Sequence, residues 1–264
     1  MINAIFFDLD DTLLWDKKSV KQAFLVTCRL AEQKHGVKPE TLEKAVRSEA
    51  TKLYKTYQTY PFTQMIGINP FEALWGNFLD ENNNNFREMK KIVPTYRKMS
   101  WTNGLSAIGI DDPALGLELA EQFPIERHKH PFVYEETFSV LDKLKEDFQL
   151  LLLTNGSPDL QHTKLKITPE LKPYFDHIVI SGDFGRGKPD PEIFNYALNL
   201  ISKPKEEVVM VGDNLMTDIL GANRAGIKTI WINREEKPRS EITPTYEITD
   251  LNDIFPILQK NNQK

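Results

Sequence analysis

Three aspartates and a threonine close one apolar run near the start of the chain: residues 4–14 read AIFFDLDDTLL, with Asp8, Asp10, Asp11 and Thr12 at its end. Carboxylates this dense can attack an electrophile, move a proton, hold a hard cation, or simply turn and cap the chain. The apolar, aromatic and β-branched run before them predicts a buried strand. Asp8 and Asp10, two positions apart, then lean toward one side of its end. Other polar groups follow apolar runs further on: Thr154-Asn155-Gly156, Gly187-Lys188-Pro189, and Gly212-Asp213-Asn214 with Asp218 beyond. If those runs are strands of one parallel sheet, all four polar stretches reach the same edge, where open α/β sheets bind their ligands.

Together Asp8, Asp10, Asp213 and Asp218 bring up to four negative charges to that edge. Like charges so close cost on the order of several kcal/mol or force protonation. A hard divalent cation relieves the repulsion, and donors that are all oxygen, without Cys or His, point to Mg²⁺ rather than zinc. Lys188 supplies a compact positive charge for a carboxylate and an anionic substrate. Thr154 and the main-chain N–H groups after each strand offer neutral donors to phosphate oxygens. Taken singly, each stretch also reads as an ordinary turn, a helix cap or a solvated lysine. Their joint order and placement carry the chemical reading.

The elements that must position these groups fall into two grammars. From Trp15 to His130 the pattern is helical: Ser19–His35 with Gly36 as its stop, a helix entered at Pro39, a short one over Phe71–Leu79, and a polar connection at 82–85. Phe86–Ser106 follows, kinked or split by Pro94, then a helix capped by Asp112-Pro113 and running to about Arg127. From Pro131 helices alternate with strands at 148–153, 177–180, 208–211 and 229–232, with an edge strand near Tyr246–Ile248 and a last helix over 251–258. Such alternation predicts right-handed βαβ crossovers and a parallel sheet covered on both faces. The expected fold is α/β: a Rossmann-like three-layer core formed by residues 1–14 and 131–264, with an all-helical cap domain, residues 15–130, inserted after the first strand.

Bulk properties exclude several classes. With 264 residues, 40% hydrophobic and 27% charged, the chain has ample material for a core. A net charge of −5 argues against nucleic acid polymers and anionic membranes as partners. A single cysteine, Cys28, removes disulfide frameworks and cysteine-rich zinc sites, and reads as a small buried hydrophobe. The five histidines show no metal spacing, and His128 and His130 read as loop residues between the two regions. Acids within the first ten residues argue against a secretory leader, and no apolar run approaches the roughly 18 residues a membrane span needs. The cytoplasm is the expected compartment. Among the aromatics, mostly helix-packing core, Trp15 is the first candidate to face the site.

The set DLDDT at 8–12, TNG at 154–156, GKPDPEIF at 187–194 and GDNLMTD at 212–218 resembles the haloacid dehalogenase superfamily, in its phosphatase branch with a helical cap. The motifs stand in that family's order over residues 1–14 and 131–235, while the helical region agrees in position and size without a motif of its own. The resemblance implies that Asp8 is the nucleophile, forming an aspartyl-phosphate, and that Asp10 is the general acid and base. It implies Mg²⁺ on Asp8, the main-chain carbonyl of Asp10, and Asp213. Thr154, the Asn155 amide and Lys188 would bind the phosphoryl group, with Asp218 and Asn214 in support. Asp11, where many members carry glycine, reads as a loop or capping residue. The implied partner is a small phosphorylated metabolite such as a sugar phosphate or nucleotide, taken by a monomer or homodimer. Rivals are a 2-haloacid dehalogenase, a phosphotransferase or mutase, a phosphonate hydrolase, and a catalytically idle ligand-binding protein. An acid at Asp10 favours the phosphatase, because departing halide needs no proton whereas an alkoxide does.

Overall fold

The computed structural model describes residues 1–238 and 241–262; Arg239, Ser240, Gln263 and Lys264, and with them the expected end of the core at residue 264, lie outside the described residues. The chain opens with β1 (Ala4–Phe7) and passes into α1 (Asp16–His35), α2 (Pro39–Tyr54), α3 (Tyr60–Ile66), α4 (Asn84–Ala107) and α5 (Pro113–Lys129). It continues through α6 (Thr137–Asp147), β2 (Gln149–Thr154), α7 (Pro158–Ile167), β3 (His177–Ile180), α8 (Ser181–Phe184) and α9 (Pro191–Ile201). Then come β4 (Val208–Gly212), α10 (Leu220–Ala225), β5 (Lys228–Ile232), β6 (Tyr246–Ile248) and α11 (Ile254–Asn262). These elements form two compact units. One holds Met1–Trp15, Val133–Gly156 and Thr168–Lys264, the other Asp16–Phe132 and Ser157–Ile167.

The first unit is built on a six-stranded sheet, ordered β3-β2-β1-β4-β5-β6, in which every described pairing is parallel. Its central strands are apolar on both faces because helical crossovers cover both. Ala4 and Phe6 join Leu151, Leu153, Val208 and Met210 in one buried cluster with Ile193 and Phe194 of α9. The alternate residues Ile5, Phe7, Leu150, Leu152, Val209 and Val211 are equally buried. Register does the work that matters for function. Phe7 stands level with Leu152 on one side and Val211 on the other. The next residues along, Asp8, Leu153 and Gly212, therefore begin the polar edge together.

The second unit has its own core, with Phe24 of α1, Trp101 of α4 and Phe123 of α5 packed ring against ring. Helices α2 and α4 approach closely at Gly104, where a β-carbon would sit 2.9 Å from the Val46 Cα. Leu160 of α7 belongs to this core. The division therefore differs from the sequence expectation at its bounds, with Trp15 in the first unit and Pro131 and Phe132 in the second, and in one segment: 157–167 is grouped with the helical region, where Leu160 is buried.

Three local expectations are corrected. Phe71–Leu79 contains only a single 3₁₀ turn, Glu72–Leu74. The Asn69 side chain accepts from the Phe71 and Glu72 N–H groups to start it, and Phe78 takes a left-handed φ of 52° that ends any helical course. Pro94 neither splits nor ends α4, which continues through it, and Asn83 of the polar connection is that helix's N-cap, accepting from the Asn85 N–H. Finally, α5 runs to Lys129, so His128 is helical and His130 caps the helix end.

Candidate active site

The site lies at the carboxyl edge of the sheet, within the first unit. Asp8 follows β1, and its N–H donates to the Val211 carbonyl at 2.9 Å, extending the ladder one residue past the strand. Lys188 reaches it from the loop between α8 and α9. The ammonium donates to Asp8 Oδ1 at 2.7 Å and to the Leu153 carbonyl at 2.7 Å, and pairs with Asp218 Oδ1 at 2.7 Å. Two of its protons are thereby hydrogen-bonded, and the ammonium is held in a buried position between two carboxylates. The second oxygen of Asp8 accepts from the Thr12 hydroxyl at 3.2 Å.

Two glycines make these approaches possible. A β-carbon at Gly212 would collide with the Asp218 carboxylate, and one at Gly187 would sit 2.8 Å from Asn155 Oδ1. The Asn155 side chain splices two loops, accepting from the Lys188 N–H and donating to the Lys188 carbonyl, each at 2.8 Å. Its carboxamide thus orients the lysine. Thr154, buried at the end of β2, is its neighbour. Beyond β4 the chain makes a π-helical turn, Leu215–Ile219, before α10. Asn214 accepts from the Met216 N–H there, while its own N–H donates to Asp218 Oδ2 at 3.1 Å. This fixes the acid that holds Lys188.

The electrostatics follow from burial and an excess of acid. Burial pushes Asp8 up to about 6; Lys188 pulls against the rise and Asp218 adds to it. Burial also opposes the charge on Lys188, but Asp218 and Asp8 outweigh it and hold the ammonium above its usual range. Asp8, Asp213 and Asp218 each offer a carboxylate oxygen, all within 4.8 Å of one another. An all-oxygen donor set of this kind fits a hard divalent cation.

Asp8, Lys188, Asp218, Asn155 and Asn214 are joined by the bonds above, Asp213 by the carboxylate cluster, and Thr154 by its place beside Leu153. Asp10 lies in the turn between Asp8 and Thr12, where it bridges to Leu14. Sequence reasoning missed two donors from the end of β5. The Trp231 indole N–H donates to the Asp213 carbonyl at 2.8 Å, and Arg234 donates to the Thr12 carbonyl at 3.2 Å. The sequence signal for them is the position of β5, which runs parallel beside β4 and so ends at the same edge.

Comparison with known proteins agrees with this geometry. Residues 2–226 match the family model for haloacid dehalogenase-like hydrolases. A phosphoserine phosphatase from Thermus thermophilus is 34% identical over 255 residues, covering 96% of this chain and 98% of that protein. Among solved structures, the HAD-hydrolase YfnB from Bacillus subtilis, bound to magnesium, superposes with a TM-score of 0.65 at 26% identity, covering 97% of this chain and 98% of that one. A 2-haloacid dehalogenase from Pseudomonas syringae gives a TM-score of 0.59 at 26% identity, covering 98% and 99%. Among the described residues, no helix is long and apolar enough to cross a membrane.

Proposed function

The chain belongs to the haloacid dehalogenase-like hydrolases, and from that premise we propose that it hydrolyses a small phosphate monoester through an aspartyl-phosphate on Asp8, assisted by Mg²⁺. One observation carries the reading: the buried Asp8 carboxylate is gripped at one oxygen by Lys188 and at the other by Thr12, beside the acid cluster that includes Asp213. In this reading residues 1–14 and 131–264, less the segment 157–167, are the catalytic domain. Residues 15–130 are a cap that excludes water and selects substrates by size.

Asp8 attacks phosphorus, forming a carboxylate–phosphorus bond as the ester oxygen leaves, and Asp10 gives its proton to that departing alkoxide. Asp10 then takes a proton from the attacking water, and the new phosphorus–oxygen bond frees the Asp8 carboxylate. Thr154, the Asn155 N–H and Lys188 hold the phosphoryl oxygens, and Lys188 also offsets the negative charge that Asp8 and phosphate would share. Asp8 and Asp213 would hold the cation, with the Asp10 carbonyl as a third ligand; when bound, it supplies further positive charge to the phosphoryl oxygens. Asp218 acts through Lys188.

The phosphatase relative supports a phosphate ester as substrate, and Asp10 separates the reading from that of the dehalogenase neighbour, whose halide leaves without a proton. The test is turnover of p-nitrophenyl phosphate and a panel of sugar phosphates, nucleotides and phosphoserine, with and without Mg²⁺, beside Asp8→Asn. Metal-dependent turnover that falls by about a thousandfold or more in Asp8→Asn is expected. Undiminished turnover in that variant would sink the covalent route. Halide release from a 2-haloacid would transfer the chain to the dehalogenases.

A further inference from the structure

We propose that Arg234 is a positioning residue that sets the Asp8–Leu14 loop, and through it the attacking carboxylate. This rests on the reading of Asp8 as the nucleophile. The loop folds back on itself: the Leu13 and Leu14 N–H groups both donate to the Leu9 carbonyl, and the Asp11 N–H donates to Leu14 at 2.7 Å. Asp11 takes a left-handed φ of 60° to close it. Such a turn crowds Asp8, Asp10 and Asp11 into four positions, their mutual repulsion opposes it, and side chains outside the loop tie down two of its carbonyls.

Arg234 ties the first of them. One guanidinium nitrogen donates to the Thr12 carbonyl at 3.2 Å, and another to Glu136 Oε1 at 2.6 Å. The guanidinium lies 3.6 Å from the centre of the Tyr134 ring, with Trp15 stacked on that ring at 5.1 Å. The next carbonyl, that of Leu13, accepts from the Thr137 hydroxyl at 3.1 Å and the Tyr134 N–H at 3.3 Å. Arg234, Tyr134, Glu136 and Thr137 thus make one clamp on Thr12 and Leu13. Its leverage on the chemistry is short: the hydroxyl of the same Thr12 donates to Asp8 Oδ2. The planar fork of arginine binds Glu136 and Thr12 at once while sitting over the Tyr134 ring, a combination that the single ammonium of lysine does not match.

The experiment compares wild type with Arg234→Met, which keeps bulk on Tyr134 without donors, and with Arg234→Ala in the presence of guanidinium ion. Hydrogen exchange of the peptide covering residues 8–14 is read without metal, and kinetics on p-nitrophenyl phosphate with saturating Mg²⁺. We expect exchange in that peptide to quicken while β4 stays protected. We also expect kcat to fall by about 10- to 100-fold with KM little changed, since small misplacements act on the transition state. Guanidinium should restore kcat in Arg234→Ala and not in Asp8→Asn. Unchanged exchange at 8–14, kcat within about twofold of wild type, or exchange quickened equally throughout the sheet would each overturn the proposal. If wild type turns over no phosphate ester, the reading of Asp8 fails, and the exchange arm still decides whether Arg234 holds the loop.

Discussion

Each unit of this protein buries a lysine against carboxylates, and the two clusters are wired differently. In the sheet unit, Lys188 meets Asp8 and Asp218, with Asp213 close by, so three acids gather around one base. In the helical unit, Lys164 pairs with Glu72 at 3.2 Å and Arg127 with Asp16 at 2.6 Å, two of each sign. Arg127 also donates to the Ser19 hydroxyl and lies over the Trp75 ring. The consequence shows in the acids. Burial would raise Asp16, but Arg127 and then Lys164 outweigh it and hold the carboxyl below its usual range. Asp8, buried in company with surplus acid, moves the other way, to about 6. A balanced cluster stabilises the fold it sits in, while an acid surplus leaves charge for a cation or a substrate to meet.

The comparison breaks first at Arg127. Arg127→Met should cost about 3 kcal/mol in a urea titration, because it strands a largely buried Asp16 without its partner. It removes nothing from the proposed chemistry. A loss under about 1 kcal/mol would mean that the cluster is not structural.

A pH series sharpens the contrast. Asp8 binds its proton more tightly in the folded chain than in the unfolded one, so its contribution makes metal-free stability fall as pH rises from about 4 to about 6, by on the order of 2–3 kcal/mol. Asp16 has the opposite sign: its stabilisation is present above the unfolded pKa and is lost as pH falls below about 4. Asp8→Asn should therefore flatten the upper part of the profile and Asp16→Asn the lower. Identical profiles for the two variants would erase the distinction.

The smallest effect is expected at Trp231. Trp231→Phe deletes one hydrogen bond to the Asp213 carbonyl and should cost about 1 kcal/mol of stability. If that bond orients Asp213 for the cation, the same variant should need severalfold more Mg²⁺ for half-maximal activity. An unchanged Mg²⁺ requirement would make Trp231 a packing residue alone.

Much of the fold was legible because the central parallel strands are apolar runs that stop at a polar cluster, a pattern written locally. Asp8 after Phe7 and Asp213 after Gly212 are of this kind. The helical region was read less well wherever side chains rather than periodicity decide the backbone. Asn69 and Phe78 limit the Phe71–Leu79 stretch to one turn, and α4 continues through Pro94 within a packed core. The grouping of α7 with the helical unit was out of reach, since Leu160 looks the same in sequence whichever core buries it.

By itself the sequence determined the alternation of strand and helix, the identity of the acids and of Lys188, and their order along the chain. Those follow from residue type and spacing, which act over a few positions. Only the tertiary structure decided which acid each cation holds, that Asn155 orients Lys188 through its backbone, and that Trp231 and Arg234 grip the two acidic loops. Such pairings join residues up to 222 positions apart. They depend on strand register and on loops crossing the sheet edge, and no local pattern of residue types encodes those distances.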